Sequence, residues 1–140
     1  MGNKKTYNVT FKGYRLEEDS NNLPEYSGIY LAYRCVFNKE TNKVSLSELV
    51  YIGKAENLKR RIMEHKQQAD ISSECAECET ICYAYASVSL NELDIVENAL
   101  IFAQKPRLNK TLKDHFNFNP ASFVVEGTCS LLTYTNFTIS

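Results

Sequence analysis

Apolar residues fall into runs whose spacing alternates between strand-like and helix-like along the chain. Residues Gly28 to Phe37 (GIYLAYRCVF) are apolar, β-branched and aromatic, and the polar run Asn38-Lys39-Glu40-Thr41-Asn42-Lys43 separates them from a second apolar stretch, Leu49 to Ile52. That order predicts a β-hairpin. Gly53 stops the second strand. From Asn57, a residue type suited to an N-cap, Leu58 and Ile62 with Met63 beside them recur at helical spacing to about Gln68, which predicts a basic amphipathic helix. Thr80 to Val88 (TICYAYASV) is apolar or small on both alternating faces and predicts a strand covered on each side. Ser89 or Asn91 can then cap a helix carrying Leu93, Val96, Leu100 and Ile101 as its apolar stripe, and Pro106 forbids its continuation. Leu112 to Phe118 reads as a short helix. Phe123 to Ile139 is β-prone, with Glu126-Gly127 as a turn.

The order strand, strand, helix, strand, helix and β-rich tail predicts an α+β fold: a small three-stranded antiparallel or mixed sheet flanked by helices, with a β-rich C-terminal extension. A length of 140 residues, 44% of them hydrophobic, fits a single domain over residues 1–140, and no Pro/Gly-rich linker divides it. No apolar run approaches the roughly 18 to 20 residues of a bilayer-spanning helix, so no membrane partner is expected. Five cysteines, an odd number in a chain that can fold without crosslinks, argue for a reducing compartment, and the cytoplasm is the expected location. Cys75-x-x-Cys78-x-x-x-Cys82 has the spacing of a metal-binding loop, with Cys35, His65 or Cys129 as a fourth ligand. Cys82 falls inside a predicted strand, however, and acidic residues surround the first pair, so free thiols are expected instead.

A net charge of −1 conceals segregation. Between Tyr51 and Lys66 stand Lys54, Lys59, Arg60, Arg61 and Lys66 against Glu56 and Glu64; between Lys105 and His115 stand Lys105, Arg107, Lys110 and Lys113 against Asp114. From Gln67 to Gln104 there are seven acidic residues and no lysine or arginine. If the two basic segments meet in space, they form a phosphate-facing surface on an acidic body; if not, they are two solvated faces.

Within this frame a few residues are candidates for chemistry. Gly28-Ile29-Tyr30 and Tyr51-Ile52-Gly53 each set a tyrosine beside a glycine on the hairpin strands, and the two phenols act jointly only if they leave the same face of the sheet. Arg61 and His65, four apart, stack on one face of the first helix. Glu97 lies on or next to the apolar stripe of the second helix, where a carboxylate is costly without a partner. It is either a divalent-ion ligand or a surface carboxylate at the edge of the stripe.

Taken in order, GIY at 28–30, YIGKA at 51–55, Leu58, Arg61, His65, Glu97-x-x-Leu100-Ile101 and Pro106-x-x-Asn109 resemble the GIY-YIG nuclease domain over about residues 28–110, with 1–27 and 111–140 as extensions packing on that core. The resemblance implies an endonuclease that hydrolyses phosphodiester bonds in DNA with one divalent cation, Mg²⁺ or Mn²⁺, held by Glu97. It implies Tyr30 as the general base toward water and Tyr51 as its assistant or a phosphate holder. Arg61 would pair with the scissile phosphate, His65 would relay a proton, and Asn109 would organise the site by hydrogen bonding. Lys54, Arg60, Lys105, Arg107 and Lys110 are the expected substrate-binding cations. A phenol with a pKa near 10 is a poor base at neutral pH, so Lys54, Arg61 and His65 are expected to favour its anion or take up its proton. Two features depart from the family pattern: the connection between the hairpin motifs is long, and no separate DNA-reading signature follows the core. Specificity is then expected from the extensions, from a partner protein or from a second copy. The alternative from another class is a non-catalytic nucleic-acid-binding or protein-interaction module that keeps the same fold.

Overall fold

The hairpin is the element from which the rest is built, and a computed structural model describing residues 5–64 and 75–140 places it at one side of a mixed β-sheet. Strands β2 (Gly28–Asn38) and β3 (Lys43–Ala55) pair antiparallel. Asn38 Oδ1 accepts the backbone N–H groups of Glu40 (2.9 Å) and Thr41 (3.3 Å), and Asn42 adopts φ 58°, a left-handed conformation that asparagine tolerates. Strand β4 (Thr80–Ser87) pairs antiparallel with the other edge of β2. Alternate residues of β2 and β4 are buried in two separate cores, one on each face, as their near-continuous apolar runs require.

The sheet is larger than the three strands expected. Strand β1 (Lys5–Leu16) inserts between β4, which it meets antiparallel, and β5 (Ala121–Gly127), which it meets parallel; β6 (Asn136–Ile139) closes the far edge, giving the order β3-β2-β4-β1-β5-β6. Val9 and Phe11 of β1 are buried beside Phe123 and Val125 of β5, while Asn8, Thr10 and Lys12 between them point to solvent. Burying one face of β1 is what extends the sheet.

The two helices lie on opposite faces. Helix α2 (Leu93–Gln104) buries Leu93, Val96, Ala99, Leu100 and Ile101 against Ile29, Leu31, Tyr33 and Ile52. Helix α1, described over Leu58–Glu64, buries Leu58 and Ile62 against Tyr30, Ala32, Val50, Tyr83 and Tyr85, each of the two aliphatic chains contributing roughly 1.5 to 3 kcal/mol. The first N–H groups of α1 are already satisfied: those of Leu58 and Lys59 donate to the carbonyls of Tyr26 (3.1 Å) and Pro24 (3.0 Å), and Asn57 Oδ1 caps Arg60 N–H (3.0 Å). Helix α2 ends where Lys105 takes φ 48° and returns its N–H to Ile101 O at 2.8 Å, one residue before Pro106.

Residues 112–118 form no helix. Asn98, buried on α2, claims their backbone: its Nδ2 donates to the carbonyls of Leu112 (3.3 Å) and His115 (2.8 Å), and its Oδ1 accepts Asn117 N–H (2.9 Å). Side-chain bonds to groups at that spacing replace the internal ladder a helix would need.

Candidate active site

The tyrosines of the two hairpin motifs leave the same face. Tyr30 faces Gly53 across the ladder and Ala32 faces Tyr51, which sets the Tyr30 and Tyr51 rings 6.1 Å apart between centroids on the α1 side of the sheet. Gly53 makes this possible. A Cβ there would lie 2.5 Å from both Cζ and Oη of Tyr30, so the absence of a side chain lets the phenol run across β3 toward the strand's end. Tyr83 closes the other side at 6.1 Å, edge-on, and Tyr30 is only 2% exposed.

Arg61, from the exposed side of α1, hydrogen-bonds the Tyr30 hydroxyl. Burial pushes the Tyr30 phenol above its ordinary value, Tyr51 adds to the shift, and the Arg61 charge and hydrogen bond only partly oppose it. The expected cationic preference for the anion is therefore present but outweighed by burial.

Glu97 approaches from the α2 side. It lies one turn after Asp94, at the edge of the helix's apolar stripe, with its side chain 14% exposed. Burial pushes its carboxyl up; the Lys54 ammonium at 3.9 Å, the Lys54 backbone N–H that it accepts, and Arg61 pull the other way, while Asp94 adds to the rise. Tyr30 and Glu97 come from opposite faces of the sheet; the Arg61 charge pulls both acids down and the Glu97 charge pushes the Tyr30 phenol up. Glu97 is thus a largely buried carboxylate with the Lys54 ammonium beside it, at the edge of the apolar stripe.

Asn109 holds the strand between Tyr51 and Gly53. Its Oδ1 accepts Ile52 N–H and its Nδ2 donates to Ile52 O, each at 2.9 Å, and Leu108 N–H donates to Val50 O at 3.0 Å. This segment closes the outer edge of β3 at the residue between Tyr51 and Gly53. Asn109 is thus an organiser of backbone, only 5% exposed, with both ends of its amide spent on Ile52.

A cleft of about 950 Å³ is lined by Tyr51, Lys54, Arg60, Arg61, Asp94 and Glu97, with Glu56 and Glu64 on its wall; Tyr30 and Asn109 are not part of the lining. Among the described residues its charged lining is four carboxylates against three cations. The second basic segment does not join it. Lys105, Arg107 and Lys110 are absent from the cleft lining; Arg107 is held by Glu48 through 3.0 and 3.1 Å bonds, and Lys105 donates to the carbonyl of Lys113. His65 and Lys66 lie outside the described residues. The cysteine trio does not converge: Cys82 belongs to the α2-side core with Cys35, and Cys75 packs on the α1 side. Sequence reasoning singled out Glu97 but not Asp94, whose three-residue spacing from Glu97 was the available signal.

The chain is similar to proteins called UvrABC system protein C. That of Hydrogenovibrio crunogenus is 32% identical over 113 residues and that of Clostridium botulinum is 31% identical over 112 residues, each alignment covering 75% of this chain and 16% of the relative. The chain thus spans about one-sixth of the length of the curated relatives it matches. No family model matches it, and no solved structure does.

Proposed function

We propose that this chain is a GIY-YIG-type endonuclease that hydrolyses phosphodiester bonds in DNA with Mg²⁺ or Mn²⁺ at Glu97. The observation that carries the reading is one open cleft lined by Tyr51, Arg61 and a largely buried Glu97, with the Tyr30 ring packed beside Tyr51. The similarity to UvrABC system protein C across 75% of the chain supports the same nuclease-type role on DNA.

The donor set suits a hard divalent ion. Glu97 offers a carboxylate whose charge is poorly solvated, and a single carboxylate leaves most of the coordination to water and phosphate. When bound, such an ion neutralises Glu97, polarises the phosphate and stabilises the leaving oxygen.

The chain's own groups supply orientation and proton transfer. Because Arg61 favours the Tyr30 phenolate, it lowers the cost of the phenol passing its proton to an acceptor and then receiving one from water. The guanidinium's remaining donors form a fork suited to non-bridging phosphate oxygens. Tyr51 packs beside Tyr30 and borders the cleft, where its hydroxyl can hold the phosphate. His65 keeps its proposed part as relay, and Arg60 and Lys54 its contact with flanking phosphates. Lys105, Arg107 and Lys110, off this cleft, are proposed contacts only for nucleic acid extending beyond it.

The test is nicking of supercoiled and branched DNA with and without Mg²⁺ by the parent chain, Glu97→Ala and Tyr30→Phe. Metal-dependent cleavage lost in both variants is the expected result. Retained DNA binding with no cleavage by the parent in either metal points instead to the non-catalytic module.

A further inference from the structure

Lys54 is held between two carboxylates. Its ammonium hydrogen-bonds Asp94 Oδ1 and stands 3.9 Å from Glu97 Oε1, and its own backbone N–H donates to Glu97. Asp94 and Glu97, three residues apart on α2, face the same way. They differ in burial: the Asp94 side chain is 69% exposed and the Glu97 side chain 14%. The ammonium therefore borders the one carboxylate of the pair that needs a counter-charge, yet its shorter bond is to the other. Lys54 reaches this place because Ile52 and Lys54 of β3 point to the α2 face while Tyr51 and Gly53 point to the α1 face.

We propose that Lys54 is the resident counter-cation of Glu97, and that Asp94 is a positioning residue that draws the ammonium aside, so that a divalent cation enters by exchange with it. This rests on Glu97 being the cation-binding carboxylate of the proposed nuclease. Asp94 acts through Lys54: without it the ammonium closes the 3.9 Å gap to Glu97 and competes more strongly with an incoming ion. Without Lys54 there is nothing to draw aside, and Asp94 contributes only its background charge at an exposed position.

Mn²⁺ binding to the full chain without DNA, followed by loss of the free-ion electron paramagnetic resonance signal, separates these roles. Lys54→Met is expected to tighten Mn²⁺ binding several-fold. Asp94→Asn is expected to weaken it about fivefold in the parent and less than about twofold when Lys54→Met is also present, since exposed charge effects are small. Equal weakening by Asp94→Asn in both backgrounds overturns the proposal by making Asp94 a direct ligand or a simple field charge. Unchanged or weaker binding in Lys54→Met overturns it as well. Glu97→Gln serves as the reference: if it binds Mn²⁺ like the parent, the ion is not at Glu97 and the nuclease reading falls together with this one. Circular dichroism of each variant confirms that a lost signal is not a lost fold.

Discussion

Replacing Asn109 with alanine removes a buried side chain whose two bonds, both 2.9 Å, satisfy the N–H and the C=O of Ile52 on the outer edge of β3. Ile52 is fully buried, so both backbone groups would be stranded unless water reaches them. At about 1 to 3 kcal/mol for each unsatisfied buried group, partly relieved by solvent entry at an edge strand, the loss comes to about 2 to 4 kcal/mol. For a chain of this size that corresponds to a fall of roughly 10 °C in the melting midpoint. Leu108 N–H still donates to Val50 O, so the strand should loosen locally between Tyr51 and Gly53 before it detaches. The assay pairs thermal denaturation with the nicking rate below the transition. Stability and activity are expected to fall together, because the peptide that loses its anchor lies between the residue that packs beside Tyr30 and the glycine that Tyr30 crosses. A variant that melts within about 2 °C of the parent but no longer cleaves would refute this account, since Asn109 would then act on the substrate and not on the strand.

Gly53→Ala places a methyl 2.5 Å from the Tyr30 hydroxyl carbon and oxygen, so the ring must leave its track; cleavage should drop by at least tenfold, roughly the effect of about 1.4 kcal/mol on the barrier, and parental activity would contradict the assigned path of the phenol. Glu97→Gln should abolish cleavage yet stabilise the fold at neutral pH. Burial raises the Glu97 carboxyl, so the folded chain holds that proton more tightly than the unfolded one; the stability it contributes is complete below the ordinary carboxyl range and is lost as pH rises through the folded value. The stabilisation by glutamine should therefore shrink as melting is measured from about pH 8 down to about pH 4, and a variant less stable than the parent at the upper end would refute the sign. Arg60→Ala should weaken DNA binding and its dependence on salt more than Arg107→Ala does, because Arg60 lines the cleft and Arg107 is engaged by Glu48; binding titrations at two salt concentrations that reverse this order would move the nucleic-acid path off the cleft.

What the sequence made legible is local. The hairpin, the N-cap at Asn57, the stripe of α2 and its stop before Pro106 each follow from residue types within a few positions, and the structure has all of them. Gly28 does begin β2, whereas β3 runs on through Gly53 to Ala55, so Gly53 does not stop the second strand as expected. Strand β1 was harder to see, because Val9 and Phe11 alternate with Asn8, Thr10 and Lys12 in a stretch whose composition reads as polar. Its role depends on β5, more than a hundred residues later, so only the alternation was available. The helix expected over 112–118 fails for a similar reason: the partner that dictates that loop is Asn98, an amide inside an apolar stripe, which carries no local signal of what it will bind. The meeting of Tyr30, Arg61 and Glu97 follows from strand register and the packing of two helices on opposite faces, and spacing alone left it open.

The burial that positions the two reactive acids also works against their charged forms. Tyr30 and Glu97 are both pushed toward neutrality by the protein around them, and the Glu97 charge adds to the cost of the Tyr30 anion. The cleft that Glu97 borders carries more carboxylates than cations among its described lining, so a polyanion arriving there meets no net attraction from the walls. Arg61 can serve only one of its neighbours fully at a time, and Lys54 is shared between Asp94 and Glu97. A phosphodiester brings further negative charge and so deepens the deficit. On the proposed reading, positive charge from solution is then as much a part of the site as any side chain, and cleavage should depend on the divalent ion more steeply than DNA binding does.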